Sequence, residues 1–225
     1  MKELNLNNQQ PKVTKGFCVI SMIYCSILLI SNIIATKIIM PFGITLPCAV
    51  IVFPIVYIVS DLITEVYGIK LSILVITINT FINILMSIIF MIAIYIPSAP
   101  FYRYGNDFAN ILGSTPRLVC ASLLAYYLGD FFNSISLSFF KFKYNNRGYF
   151  FRSIVSSLIG QVFDTCIFIL AAFIFTMPFK DLIYMMIFQY IVKIVYEVIC
   201  FPITKIVVNM WKKIENIDTI DMWNI

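Results

Sequence analysis

VFPIVYIVSDLITEVYG, residues 52–68, sets the terms for the whole chain. A mostly apolar run from Val52 leads straight into Ser60, Asp61, Thr64 and Glu65, then stops at Gly68. Helical spacing of i and i+4 puts Asp61 and Glu65 on one face. In water such a pair needs no explanation. In hydrocarbon an ionisable group costs a few kcal/mol even on lenient scales, so it needs a partner or a task.

Composition says which solvent applies. Of 225 residues, 61% are hydrophobic and 12% are charged, against about 25% charged in a soluble domain. The mean hydropathy is +0.94. That leaves too little polar surface to coat a water-soluble fold, and lipid is the expected solvent.

A helix crosses the hydrocarbon core with about 20 apolar residues. Stretches near 17–40, 70–96, 117–140, 152–175 and 182–208 meet this length. A shorter one near 44–60 carries Pro47 and Pro54 and is expected to be broken or partly re-entrant. The expectation is an all-α polytopic membrane protein, a bundle of six helices. Residues 1–16 form a leader and 209–225 a tail bearing Trp211 and Trp223, with the spans at 17–208 between them.

Six crossings put both ends of the chain on one side. That side then receives eleven basic residues: Lys2, Lys12, Lys15, Lys70, Lys141, Lys143, Arg147, Arg152, Lys205, Lys212 and Lys213. The other side receives Arg103, Arg117 and Lys180, while Lys37 and Lys193 lie within spans. The bias predicts a multi-pass protein of the cell membrane with both termini cytoplasmic. The basic loop 141–152 is expected to meet lipid headgroups. The outer loop 95–116 reads either as an ordinary structured loop or as a lid.

Position within each span then estimates depth. Asp164 sits at the centre of the fifth span, Lys193 near that of the sixth, and Asp130 near that of the fourth. Asn83 centres the third with Asn79 a turn away, and Asn32 lies just past the middle of the first. Polar groups from five helices thus meet at one level, where carriers hold their substrates. Gln161 lies three residues before Asp164, and Gln189, Lys193 and Glu197 form an i, i+4, i+8 stripe.

Each has a structural alternative. Asp164 and Lys193 fit an interhelical ion pair as well as a ligand site. Asn79 and Asn83 fit interhelical hydrogen bonds. Asp61 and Glu65 fit interfacial charges paired with a lysine such as Lys70, and Asp130, after Gly129, fits local packing.

Much chemistry is excluded. There is no P-loop and no Rossmann glycine pattern. The chain has no histidine, which removes Ser–His and Cys–His nucleophiles and a Cys/His zinc site. Cys18, Cys25, Cys48, Cys120, Cys166 and Cys200 contain no CxxC and read as small apolar residues. No catalytic residue, metal or cofactor is expected.

Five segments together, in order, carry a resemblance: SNIIATK in the first span, FPIVYIVSDLITEVYG in the second, and RLVCASLLAYYLGDFFN in the fourth, followed by SLIGQVFDTCIFILAAF and QYIVKIVYEVICFPI. They cover most of residues 31–203, and the chain resembles the queuosine precursor transporter family of vitamin-uptake-like integral membrane proteins. That family is similar in architecture to substrate-binding subunits of energy-coupling-factor importers.

The resemblance implies uptake of 7-cyano-7-deazaguanine, 7-aminomethyl-7-deazaguanine or queuine for tRNA modification. It implies a small-molecule partner and no direct contact with nucleic acid. The family pattern falls on Asn32, Asp61, Gly68, Arg117, Gly160, Gln161, Asp164 and Lys193. Of these, Asn32, Asp61, Arg117, Gln161, Asp164 and Lys193 are the expected substrate-binding residues, with Glu65, Asn83, Asp130, Gln189 and Glu197 as further candidates.

A guanine edge fits this set chemically. It presents N1–H and an amino group side by side, which one carboxylate accepts. Three roles stay open from sequence: a self-sufficient carrier, alone or as a homo-oligomer; the substrate-capturing subunit of an importer with energising subunits; and a membrane enzyme or structural protein.

Overall fold

Thr14 starts the first helix, its hydroxyl accepting the Phe17 N–H at 3.0 Å, which satisfies one of the free donors of a helix start. The computed structural model describes residues 13–39, 46–113, 116–144, 148–174 and 178–219. Within them α1 spans Lys15–Ile34, α2 Phe53–Tyr67, α3 Ile69–Tyr95, α4 Gly105–Leu112, α5 Pro116–Lys143, α6 Tyr149–Phe173 and α7 Phe179–Glu215. Two strands of two residues each, β1 (Ile38–Ile39) and β2 (Leu46–Pro47), pair antiparallel and lead through a 3-10 turn at Cys48–Ile51 into α2.

The second segment differs from the expected span at 44–60. Its irregular part comes first, as the ladder and the 3-10 turn, and α2 then runs without a break to Tyr67. Pro54 lies in the first turn of α2, where no helical N–H is lost and proline is tolerated. Asp61 and Glu65 are therefore held on a continuous helix. Gly68 ends it at φ 90°, ψ 171°, a left-handed backbone that favours glycine, and α3 begins at the next residue. In the outer loop, the eight-residue helix α4 occupies Gly105–Leu112.

Burial is inverted relative to a water-soluble bundle. Ser60, Asp61, Thr64, Glu65, Ser72, Asn79, Asn83, Asp130, Asn133 and Ser134 are buried, whereas Ile78, Phe81, Leu85, Ile88 and Ile92 of α3 face outward. Such an arrangement suits a molecule whose solvent is hydrocarbon. By length and apolarity, α1, α3 and residues 149–171 of α6 are long enough to cross a membrane. With 28 and 37 residues, α5 and α7 reach about 42 and 55 Å at the helical rise per residue.

The first turns of α1, the end of α2 and the end of α7 meet at one end of the bundle. Phe17 packs edge-on to Tyr67 with centroids 5.1 Å apart. The Trp211 indole donates to the Tyr67 hydroxyl at 2.9 Å, and Thr219 N–H donates to the Val66 carbonyl at 3.1 Å. An apolar core lies beneath this end, built from Tyr24, Leu28, Val59, Leu62, Ile63, Val66 and Val208.

Candidate functional site

Two glycines bring α5 and α6 together. A Cβ on Gly129 would lie 2.6 Å from Asp164 Cβ and 3.0 Å from the Gly160 carbonyl oxygen. On Gly160 it would lie 2.6 Å from the Gly129 carbonyl oxygen and 2.7 Å from Asn133 Cβ. Any side chain there would push the helices apart. The close approach sets the residues flanking each glycine, Asp130 and Asn133 on α5 and Gln161 and Asp164 on α6, beside one another.

Four carboxylates gather around this crossing. Asp61 accepts from Asn133 Nδ2 at 2.9 Å and from Ser153 Oγ at 2.6 Å. Asp130 accepts from Ser60 Oγ at 2.6 Å and from the Tyr24 hydroxyl, which also meets the Tyr126 hydroxyl. Glu197 accepts from Ser157 Oγ at 2.9 Å and, at a long 3.4 Å, from Gln161 Nε2. Asp164 pairs with Lys193, whose ammonium also reaches Thr165 Oγ1 at 3.3 Å. Tyr57 lies within electrostatic range of Asp130, Asp164 and Glu197, and Asp61 within range of Glu197 and Asp130.

Three of the four carboxylates are thus met by hydroxyl and amide donors, while Lys193 is paired with the fourth. Two buried acceptors in the same place have no partner among the described residues: Gln161 Oε1 and Asn133 Oδ1.

Asn32 donates to Asn83, and Asn83 Nδ2 turns back to the Asn79 carbonyl at 2.9 Å. This joins α1 to α3. Asn79 Nδ2 reaches the Tyr126 hydroxyl at 3.4 Å and links that joint to the Asp130 group. Gln189 is half-buried on α7. Arg117 lies in the first turn of α5, and its side chain is outside the described residues, as is Trp223. The sequence reading did not single out Tyr24, Asn133, Ser153 or Ser157 as members of the site. Ser153 and Ser157 stand at i and i+4 on α6, and that polar spacing in an apolar helix is the signal that identifies them.

Glu65 belongs to a second cluster, one turn along α2. It is 0% exposed, and its partners come from distant helices rather than from Lys70, which is exposed. Arg152 of α6 grips both its oxygens, and Lys212 of α7 reaches Oε1 at 2.7 Å. Lys141 of α5 donates to the Glu65 carbonyl oxygen, to Asp218 Oδ1 at 2.7 Å and to the Thr219 carbonyl at 2.6 Å. Lys212 also meets Asp218 at 3.0 Å. Partial burial works to raise the Asp218 carboxyl, but Lys141 and Lys212 outweigh it and hold it below the usual carboxylate range.

An inverted bundle, apolar outside and lined by carboxylates where its helices cross, is a membrane protein built around a polar interior. Residues 47–207 match the model of the family described as "Putative vitamin uptake transporter", and the chain belongs to that family. No curated protein and no solved structure matches the chain.

Proposed function

We propose that this chain carries a 7-deazaguanine precursor of queuosine into the cell, as a self-sufficient carrier of six spans with both termini cytoplasmic. The single observation that carries the reading is the acceptor-rich group at the α5–α6 crossing. A transporter of this family needs a polar ligand site, and the gathering of Asp61, Asp130, Asp164 and Glu197 at the crossing, beside Gln161 Oε1, supports one there.

A deazaguanine supplies what the group lacks. Its N1–H and 2-amino donors lie side by side and match the two oxygens of one carboxylate. Asp164 takes this edge, and Lys193 moves from Asp164 towards the carbonyl oxygen of the base. Tyr57, buried within electrostatic range of the same carboxylates, offers a flat face for stacking, an interaction worth about 1–3 kcal/mol per base in nucleic-acid complexes. Basic side chains at the end shared by α1, α2 and α7, among them Lys141, Arg152 and Lys212, support a cytoplasmic assignment for that end.

The test is complementation. In a cell that cannot make queuosine, this chain and an added precursor should restore the modification to tRNA without other added subunits. If the protein reaches the membrane and tRNA stays unmodified with every deazaguanine supplied, the proposal is wrong.

A further inference from the structure

Charge and hydrogen-bond inventory at the crossing point to more than a neutral base. Asp61, Asp130 and Glu197 accept from Ser, Asn, Gln and Tyr side chains, while Lys193 pairs with Asp164. Four carboxyl groups share one ammonium here, and a buried carboxyl is stabilised either by a proton of its own or by donors from a partner. Gln161 is 2% exposed and Asn133 is 0% exposed, and among the described residues Gln161 Oε1 and Asn133 Oδ1 meet no donor, while the buried Tyr149 hydroxyl, within electrostatic range of Asp61 and Glu197, also stands without a partner. The crossing therefore holds unused acceptor capacity on buried amide oxygens.

Among the described residues, no group of three or more acidic or cysteine side chains is placed to hold a metal ion. The acceptors are spread along the crossing, and a ligand spanning them carries several N–H groups set apart on a frame.

Glu197 is the best placed of the group. Among the described residues its Oε2 meets Gln161 Nε2 at a long 3.4 Å, and the Oε1 without a donor belongs to that same Gln161 amide. A carboxylate oxygen and an amide oxygen thus stand together with unused capacity. A primary ammonium has three donors and no acceptor, and it satisfies both.

We propose that Glu197 and Gln161 receive a protonated amine on the carried base, so that the chain selects cationic over neutral members of one ligand class. The inference rests on the deazaguanine reading above and deepens it. The aminomethyl base binds with its flat edge on Asp164 and its ammonium on Glu197 and Gln161. The cyano base has the same ring but ends in a neutral acceptor, which faces Glu197 and Gln161 Oε1 with no proton to share.

The experiment is equilibrium binding of 7-aminomethyl- and 7-cyano-7-deazaguanine to the purified full chain at neutral pH. The expected result is at least about tenfold tighter binding of the amine, with Glu197→Gln shrinking that ratio towards one. Equal binding, or tighter binding of the nitrile, overturns this inference and leaves the carrier reading standing. Binding of neither base to folded protein removes both. If Glu197→Gln does not fold, the wild-type ratio alone decides, and Gln161→Glu supplies the second variant. An added carboxylate there should widen the preference for the amine, and an unchanged ratio would count against the site.

Discussion

Arg152 holds Glu65 at two points, Nη1 to Oε2 at 3.1 Å and Nη2 to Oε1 at 3.0 Å, with both side chains buried. The pair joins α6 to α2, and Lys212 adds α7 at 2.7 Å. Removing one member of a buried ion pair strands the other and costs about 3–5 kcal/mol. Glu65→Gln is therefore expected to lower unfolding stability by that order, read by thermal or denaturant unfolding in detergent. A loss below about 1 kcal/mol would show that the cations find water or other partners.

The glycine crossing yields a second prediction. Gly160→Ala sets a methyl group 2.6 Å from the Gly129 carbonyl oxygen, a backbone atom that moves only with its helix. Overpacking of this kind costs about 1–3 kcal/mol. It also separates Asn133 and Gln161 from their partners, so ligand binding is expected to fall more than stability does. Normal binding in a folded Gly160→Ala variant would mean that the helices tolerate a wider crossing.

Asp164 and Lys193 allow structure and binding to be separated. Replacing both by apolar residues of similar size, as in Asp164→Leu with Lys193→Met, removes the pair without stranding a charge and is expected to be tolerated by the fold. The same double variant is expected to abolish deazaguanine binding. If it binds the base as well as wild type, the pair is interhelical glue and the edge is held elsewhere.

Asp218 sets a pH dependence at the basic end. Burial opposes its ionisation, but Lys141 and Lys212 prevail and hold its pKa below the ordinary value. A depressed folded pKa means stability that is fully present above the unfolded value, about 3.9, and lost as pH falls through the lower folded one. Its side chain is 37% exposed, so solvent screening limits the contribution to under about 1 kcal/mol. Amide protection at residues 216–219 is expected to drop on acidification below about pH 4 and in Asp218→Asn at neutral pH. Protection unchanged in Asp218→Asn would assign the docking of this segment to the hydrogen bonds of Thr219 with Val66 and Lys141.

Asp61 offers the most direct check on the polar interior. Its two oxygens are held by Asn133 and Ser153, so Asp61→Asn faces these donors with an amide that accepts once where the carboxylate accepted twice. Uptake is expected to be lost, with a stability cost of about 1–3 kcal/mol for the group left unsatisfied. Retained uptake with normal folding would remove Asp61 from the transport site.

Much of this was legible one helix at a time. Apolar runs longer than about 20 residues announce helices in lipid, and an Asp or Lys at the centre of such a run announces a polar interior. The expected depth of Asp130, Asp164 and Lys193 follows from counting residues, because the helical rise is constant. The effect of Pro54 needed the structure, because proline breaks a helix in its interior but suits its first turn, and Pro54 lies in the first turn of α2.

What a sequence cannot state is which faces of different helices meet. Asp61 and Glu65 share one face of α2, yet one turn decides between two environments: Asn133 and Ser153 for Asp61, Arg152 and Lys212 for Glu65. Those partners are far away in the chain, on α5, α6 and α7, and α5 and α6 come to backbone contact where Gly129 and Gly160 leave room. Periodicity determines which side of a helix is polar. Packing distance between helices, set by what side chains leave room for, decides which polar groups become partners and which are left facing the ligand.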